Sequence, residues 1–563
     1  MHWQAGLLLP CLLAAQSNVL TYHNDVARTG QNLAETTLTP SNVNFTTFGK
    51  LFQTDMDGLV DAQPLYVAGV PIPSQGKHNV LIAATENDSL YAFDADTGAQ
   101  LWKVSLLASG ETPSDDRGCS QVTPMIGITS TPVITVNFGA SAGVIFAVAM
   151  SKDASGDYHQ RLHKVSLATG KQLAAGVEIS GSYPGTGEGS GGYAYFDSKQ
   201  YKERSGLLLL DGTVYLAWGS HCDDPPYTGW IMGYSAATLA QTSVIDVTPN
   251  GAEGAIWGAG AGLAADASGS IYFLDANGTF DTTLNSQGFP SNGNFGNAFI
   301  KLSAAGGQLT VSDYFTMSNT VSESDADEDL GSGGALVLPN MTDAAGQVQE
   351  LAIGAGKDSN IYLVNRNNMG KFSSAGDSAI YQELDGALPG GIWSMPAYYQ
   401  GQVYFGPVGG SILAFQFSKA LLLASPVSAT PTQFPYPGAT PSISANGAAN
   451  GILWAVESNT PAVLHAYLAT NLAQELYNTS QAPNGRDQFG AGNKFMVPTI
   501  ANGKVYVGTP TGVAAFGLLA QSPTRLTRRN GCGEPTQSER PECRERGQGP
   551  PTPELSLPGL PNQ

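Results

Sequence analysis

Apolar and polar residues alternate along most of this chain in short runs, broken by clusters of Gly, Asn, Asp, Ser and Thr. Strict alternation over a few residues predicts half-buried β-strands, and the breaks predict tight turns. The clearest unit is Leu90-Tyr91-Ala92-Phe93-Asp94-Ala95-Asp96-Thr97-Gly98-Ala99-Gln100-Leu101-Trp102. It reads as a strand, an Asp-x-x-Thr-Gly turn and a second strand that ends in Trp. Degenerate copies begin at Leu162, Met232, Phe299, Ile361, Ile412, Leu464 and Val513. Several are preceded by a second strand of one type, as at Val214-Tyr215-Leu216, Ile271-Tyr272-Phe273, Val403-Tyr404-Phe405 and Val505-Tyr506-Val507. These units recur about eight times, at roughly fifty to seventy residues, the period of repeat architectures. A single small sheet cannot bury both its faces, whereas sheets packed radially in a ring bury them and leave only short edges. The pattern therefore predicts an all-β fold, an eight-bladed β-propeller of four-stranded antiparallel blades over residues 20–518. A β-sandwich fits less well, because one sandwich does not need so many similar units.

Composition narrows the function. Only 13% of residues are charged, Gly numbers 68 and Pro 34, and the formal net charge is -20. Nucleic-acid binding needs basic surface to neutralise phosphates, so no nucleic-acid partner is expected, and an anionic membrane surface is disfavoured for the same reason. The apolar run Ala5–Ala15 is too short to span a bilayer and resembles a secretory signal with a small-residue exit at Ala14-Ala15, although no Lys or Arg precedes it. A signal peptide over 1–15 makes the chain secreted, to an extracellular or periplasmic space, with no integral membrane segment. Of the five cysteines, Cys11 would leave with the signal, and Cys532 and Cys543 lie in the tail. Cys119 and Cys222 sit in polar loop sequence, which favours a disulfide between them over two separate thiols. No CxxC or His/Cys cluster suggests zinc. Residues 521–563, rich in Arg, Pro, Glu and Gln without an apolar period, read as a disordered tail.

The Tyr91–Trp102 unit resembles the repeat of the pyrroloquinoline-quinone (PQQ) dependent alcohol dehydrogenases, and the likeness extends over nearly all of residues 20–518. Arg28, the segment Leu38-Thr39-Pro40-Ser41-Asn42-Val43 and Leu51-Phe52 resemble that family's opening segment, and Gln63-Pro64-Leu65-Tyr66-Val67 its first inner strand. The resemblance implies PQQ near the propeller axis over a Ca²⁺ or lanthanide ion, with an Asp taking the alcohol proton as hydride leaves for the quinone. By that resemblance Asn277, in Asp275-Ala276-Asn277-Gly278-Thr279, stands at a metal-ligand position; the other reading is a turn Asn, which also forms a glycosylation sequon. Further sequons lie at Asn44, Asn87, Asn340 and Asn478. The acidic loop Asp325-Ala326-Asp327-Glu328-Asp329 stands where the family carries its base, making Asp325, Asp327 and Asp329 catalytic candidates, against a solvated acidic loop. Lys357 matches a residue that contacts the quinone oxygens, against a surface turn Lys. Trp393 resembles a Trp near the cofactor, against a core Trp.

The chain also departs from that family. Where catalytic members often carry two adjacent cysteines, it offers only Cys119. In place of the metal-binding Glu loop it reads Gly219-Ser220-His221-Cys222-Asp223-Asp224-Pro225-Pro226, where Asp223 or Asp224 would be a shorter metal ligand. It has no CxxCH haem motif. Three readings follow. The leading one is a non-redox binding or scaffold module that takes a small molecule, a carbohydrate or a protein ligand at the propeller funnel. The alternative is a PQQ- and Ca²⁺-dependent alcohol or sugar dehydrogenase with a modified site. The third is another enzyme working through His221, Asp223 or Asp224 in the same pit. No Gly-x-Ser-x-Gly stands in a strand–turn–helix setting, and Gly331-Ser332-Gly333-Gly334 and Gly189-Ser190-Gly191-Gly192 read as tight turns rather than phosphate cradles. Asn277, Lys357 and an acid from Asp325–Asp329 are expected to converge on one funnel.

Overall fold

A computed structural model describes residues 17–137, 142–187 and 191–520. The signal-peptide and tail assignments, with Cys11, Cys532 and Cys543, lie outside the described residues, as do Gly189 and Ser190. The described chain is an eight-bladed β-propeller with almost no helix. Blade 1 is Leu65–Ile72, Gly76–Ala84, Ser89–Asp94 and Gln100–Ser105, antiparallel throughout. Blades 3, 4 and 5 repeat that order, with second strands Thr213–Ala217, Ser270–Leu274 and Leu351–Gly354. Blade 8 takes three strands from the C-terminal end of the ring and its fourth, Phe48–Gln53, from the N-terminal end. That pairing closes the ring and leaves no terminal blade edge open.

Three blades exceed the expected four strands. Blade 2 has six, because an insertion folds back as Thr112–Asp115 and Met125–Ile126 and pairs with the end of Ala142–Lys152. Blade 6 has five, and blade 7 gains Gln31–Asn32, which runs parallel to its inner strand Ser442–Asn446.

The repeat sequence explains the packing. In the blade 1 turn, Asp94 Oδ1 accepts from the amides of Asp96 and Thr97 and from Thr97 Oγ1 at 2.8–3.0 Å, and Gly98 follows at φ +78°. The Asp and the Gly thus do separate jobs, one as acceptor and one as the left-handed residue. Amphipathic side chains then tie each blade to the next blade's turn. Trp102 Nε1 donates to Leu167 O at 3.1 Å, Tyr404 Oη to Ala469 O at 3.0 Å, and Tyr506 Oη to Ala95 O at 2.9 Å. Their rings are buried in the interblade core while the polar tip finds a carbonyl, which is why Tyr and Trp recur at these positions.

The segment from Val19 to Asn32 threads between blades. Arg28 is fully buried and donates to Thr21 Oγ1 and Tyr22 O at 2.8 Å, Leu263 O at 3.0 Å and Leu207 O at 3.2 Å. The imidazole of His23 is hydrogen-bonded to Arg28 O at 2.8 Å and Pro441 O at 2.9 Å. Gly30, at φ +69°, lies so close to this ring that a Cβ would stand 2.3 Å from it. Arg28, read from sequence only as part of an opening segment, is a clamp among the carbonyls that begin blades 3 and 4.

Candidate functional site

Because strands within a blade alternate in direction, the connections between second and third strands, and between one blade and the next, all emerge on the same face of the ring. One pocket of about 150 Å³ opens there, and every residue lining it comes from those connections or from the insertion in blade 2. Asn277 and Lys357 follow the second strands of blades 4 and 5; Asp223 and Tyr227 follow that of blade 3. Asp327 and Asp329 sit between blades 4 and 5, after the only α-helix among the described residues, Thr320–Asp325. Trp257, Trp393 and Tyr436 come from the connections between blades 3 and 4, 5 and 6, and 6 and 7, and Arg204, Lys494 and Phe495 from the approaches to blades 3 and 8.

The acidic wall is organised around Lys357. Its Nζ lies 2.5 Å from Asp327 Oδ1 and 2.6 Å from Asp329 Oδ1. Asn277 Nδ2 donates to the same Asp327 oxygen at 2.8 Å, and its own Oδ1 is buried without a partner. Asp327 is exposed and held at φ +59°, whereas Asp329 is buried. Burial lifts the Asp329 carboxyl to about 6, against the pull of Lys357. The two acids in turn raise the Lys357 ammonium against its desolvation. Desolvation also raises Asp223, which accepts from Tyr227 Oη at 3.3 Å.

The opposite wall is cationic. Arg204 is buried, its guanidinium 4.3 Å from the centre of the Phe495 ring, and Nη1 has no hydrogen-bond partner. Beneath it, burial and the neighbouring Asp61 push Glu86 well above the usual carboxyl range, and these two acids share a hydrogen bond. Arg204, Lys494 and Phe495 also line a second cavity of about 20 Å³ that reaches Asp61 and Gln63, room for about one water. Trp393 forms a third wall, edge-on to Tyr436 with ring centres 5.9 Å apart, and is only partly buried rather than a core residue.

The pocket thus gathers Asn277, Asp223, Asp327, Asp329, Lys357 and Trp393. It does not gather two other candidates. Asp325 ends the Thr320–Asp325 helix, pointing its exposed position away from the lining, and Asp224 is exposed beyond the turn that carries Asp223. His221 is buried behind the wall, its imidazole held down to about 4 by desolvation and by Arg117 and Lys202. Sequence reading missed Arg204, Trp257, Tyr227, Tyr436, Lys494 and Phe495. None lies in a repeated motif, and only the Trp and Arg residue types could have flagged them.

Asn277, an acid pair and Lys357 have the donor chemistry that a metal and quinone would need, but the arrangement does not fit a Ca²⁺ ion. The Lys357 ammonium already takes an oxygen of each carboxylate, and a divalent ion there would face that positive charge. Among the described residues no group of three or more His, Cys, Asp or Glu side chains gathers as metal ligands. Cys119 and Cys222 form a disulfide, as their loop settings favour.

No protein-family model matches the sequence, and no curated protein matches it. Solved structures do match in fold. The quinohemoprotein alcohol dehydrogenase of Comamonas testosteroni is 13% identical, with a TM-score of 0.56, over 91% of this chain and 82% of that one. A quinohemoprotein alcohol dehydrogenase of Pseudomonas putida HK5 is also 13% identical, with a TM-score of 0.57, over 90% and 81%. A europium-containing methanol dehydrogenase is 11% identical, with a TM-score of 0.55, over 89% and 98%. At these identities the likeness establishes a quinoprotein-like propeller fold and nothing finer.

Proposed function

We propose that this chain is a binding module of an exported compartment whose funnel pocket takes a small polar ring compound, a saccharide of one or two units. The observation that carries this reading is the composition of the pocket wall. Trp257, Trp393, Tyr227 and Tyr436 line it with aromatic rings, while Asn277, Asp223 and Arg204 offer hydrogen-bond acceptors and donors of both charges. Flat apolar faces edged with paired polar groups suit a sugar, whose ring presents C–H faces and hydroxyl edges. Lys357 holds Asp327 and Asp329 in a shared ion pair, which favours recognition over proton abstraction. The Cys119–Cys222 disulfide supports an oxidising location.

The second reading is a PQQ- and Ca²⁺-dependent alcohol or sugar dehydrogenase; the buried, unpartnered Asn277 Oδ1 is the observation on its side, and the Lys357 ammonium among the carboxylates stands against it. One experiment separates the two. Tryptophan fluorescence and calorimetry follow titration of the purified chain with a panel of neutral and acidic mono- and disaccharides, and separately with PQQ plus Ca²⁺, the latter joined to a dye-linked oxidation assay. The binding reading expects saturable saccharide binding that weakens about tenfold in Trp393→Ala, the loss of one stacking face. Saturable PQQ binding with dye reduction, and no saccharide binding without them, would overturn it.

A further inference from the structure

Behind the pocket wall Lys202 is fully buried. Its ammonium donates to Gln121 Oε1 at 2.6 Å and stands 3.6 Å from Sγ of Cys119. The Trp257 ring lies on another side, 5.9 Å away. These partners are a neutral amide, a sulfur and a ring face. Desolvation and the nearby Arg204 and Arg117 push the Lys202 amine down to about 7, while Asp223 and Glu86 act more weakly in the other direction. An anion formed beside it would draw the amine into its protonated form, with no carboxylate already paired to it.

The disulfide it touches is asymmetric. Cys119 is buried, 3% exposed, whereas Cys222 is only half-buried and sits at φ +56° in the turn that carries Asp223. Thiol–disulfide exchange makes different demands on its two sulfurs. The attacked sulfur must be reached by the external thiolate, and the departing sulfur leaves faster the better its negative charge is held. Cys222 is the half-cystine with surface left to solvent, and Cys119 is the one beside an ammonium.

We propose that Cys222 is a site of S-thiolation by small external thiols, with Lys202 positioned to receive the charge that leaves on Cys119. The thiolate RS⁻ forms a bond to Cys222 Sγ, the Cys222–Cys119 bond breaks, and its electron pair departs on Cys119 Sγ as a thiolate paired with the Lys202 ammonium. The products are a mixed disulfide on Cys222 and one Cys119 thiolate, so no further oxidant is required. A second RS⁻ attacking the external sulfur of that adduct would release Cys222 as a thiolate and form RSSR, which completes a two-electron reduction.

The test uses the full folded chain with glutathione, without denaturant and without oxygen. Free thiols are capped with N-ethylmaleimide, and the peptides bearing Cys119 and Cys222 are mapped by mass spectrometry. The expected product carries glutathione on Cys222 and maleimide on Cys119. Lys202→Met should slow its appearance about tenfold, the size expected when a leaving thiol loses a neighbouring cation, and Lys202→Arg should restore most of the rate. The direction of opening needs no variant, so it remains decisive if Lys202→Met does not fold. Glutathione found equally or mainly on Cys119, equal rates in the wild type and Lys202→Met, or exchange seen only after unfolding in guanidinium would each overturn the proposal.

Discussion

The N-terminal segment and the funnel pocket each bury a guanidinium, and they treat it in opposite ways. Arg28 spends its donors on protein: a hydroxyl and the carbonyls of Tyr22, Leu207 and Leu263. Arg204 lies against the Phe495 ring with Nη1 unpartnered, near an acid pair that shares a hydrogen bond. A buried charge is costly unless it is paired, so a fold that satisfies one arginine fully and another only partly marks where structure ends and recognition begins. The same contrast extends to neighbours. His23 is hydrogen-bonded through both ring nitrogens, whereas Asn277, across the pocket, keeps a buried oxygen free.

The largest expected effect tests the satisfied side. Arg28→Met fills similar volume but strands the acceptors that join the segment to blades 3 and 4. Leaving several buried acceptors unsatisfied should cost at least about 3 kcal/mol, read as a lowered urea midpoint. Saccharide binding in the folded fraction should be unchanged, because Arg28 does not line the pocket. A midpoint within experimental error of the wild type would show that the clamp carries no stability.

The next effect is the pH dependence of the pocket side. Asp329 has a native pKa of about 6 against an ordinary value of 3.8, raised by burial. Between those values the native carboxyl holds a proton that the unfolded chain has released. Its contribution is therefore fully stabilising below about pH 4 and is lost as pH rises through 6. Asp329→Asn should remove that fall, about 1 to 3 kcal/mol, from a series of urea midpoints taken between pH 4 and 7.5. A residual slope of the same sign should persist, because burial also lifts Asp246 to about 6. Arg28, lowered only to about 10 by desolvation, stays charged across the same range and should show no such slope. An unchanged slope in Asp329→Asn would remove Asp329 as its source.

How far the sequence could be read follows from what repeats. Tyr91, Asp94, Thr97 and Trp102 announce a blade because each does a job every blade needs: an interblade ring, a turn acceptor, a turn partner, a donor to the next turn. Asn277 and Lys357 were legible only through the resemblance to the quinone enzymes, and each directly follows a second strand. Asp325 shows the limit. Nothing in an acidic run says which carboxylate turns inward, and a short helix ending at Asp325 sends only Asp327 and Asp329 to the wall. The six-stranded blade 2 and the strand lent by Gln31–Asn32 come from non-repeating sequence. So do Arg204, Tyr436 and Phe495, which meet only because the ring closes. Contacts between segments hundreds of residues apart leave no local periodicity to read.

The smallest effect in stability is the sharpest test of the comparison. Arg204→Met removes a buried guanidinium with an unpartnered donor and leaves the Asp61–Glu86 pair able to share its proton. Losing the attraction to those acids and the ring contact should roughly cancel the relief from desolvation, so the urea midpoint should move by less than about 1 kcal/mol. Binding should respond differently. If the free Nη1 serves a ligand, the best saccharide of the panel should bind about tenfold more weakly, the loss of one charged hydrogen bond. Measured beside Arg28→Met, the two variants should exchange places: one loses stability and keeps binding, the other keeps stability and loses binding. Should Arg204→Met unfold as readily as Arg28→Met, the guanidinium at the pocket is a second clamp, and the unpartnered donor carries no recognition.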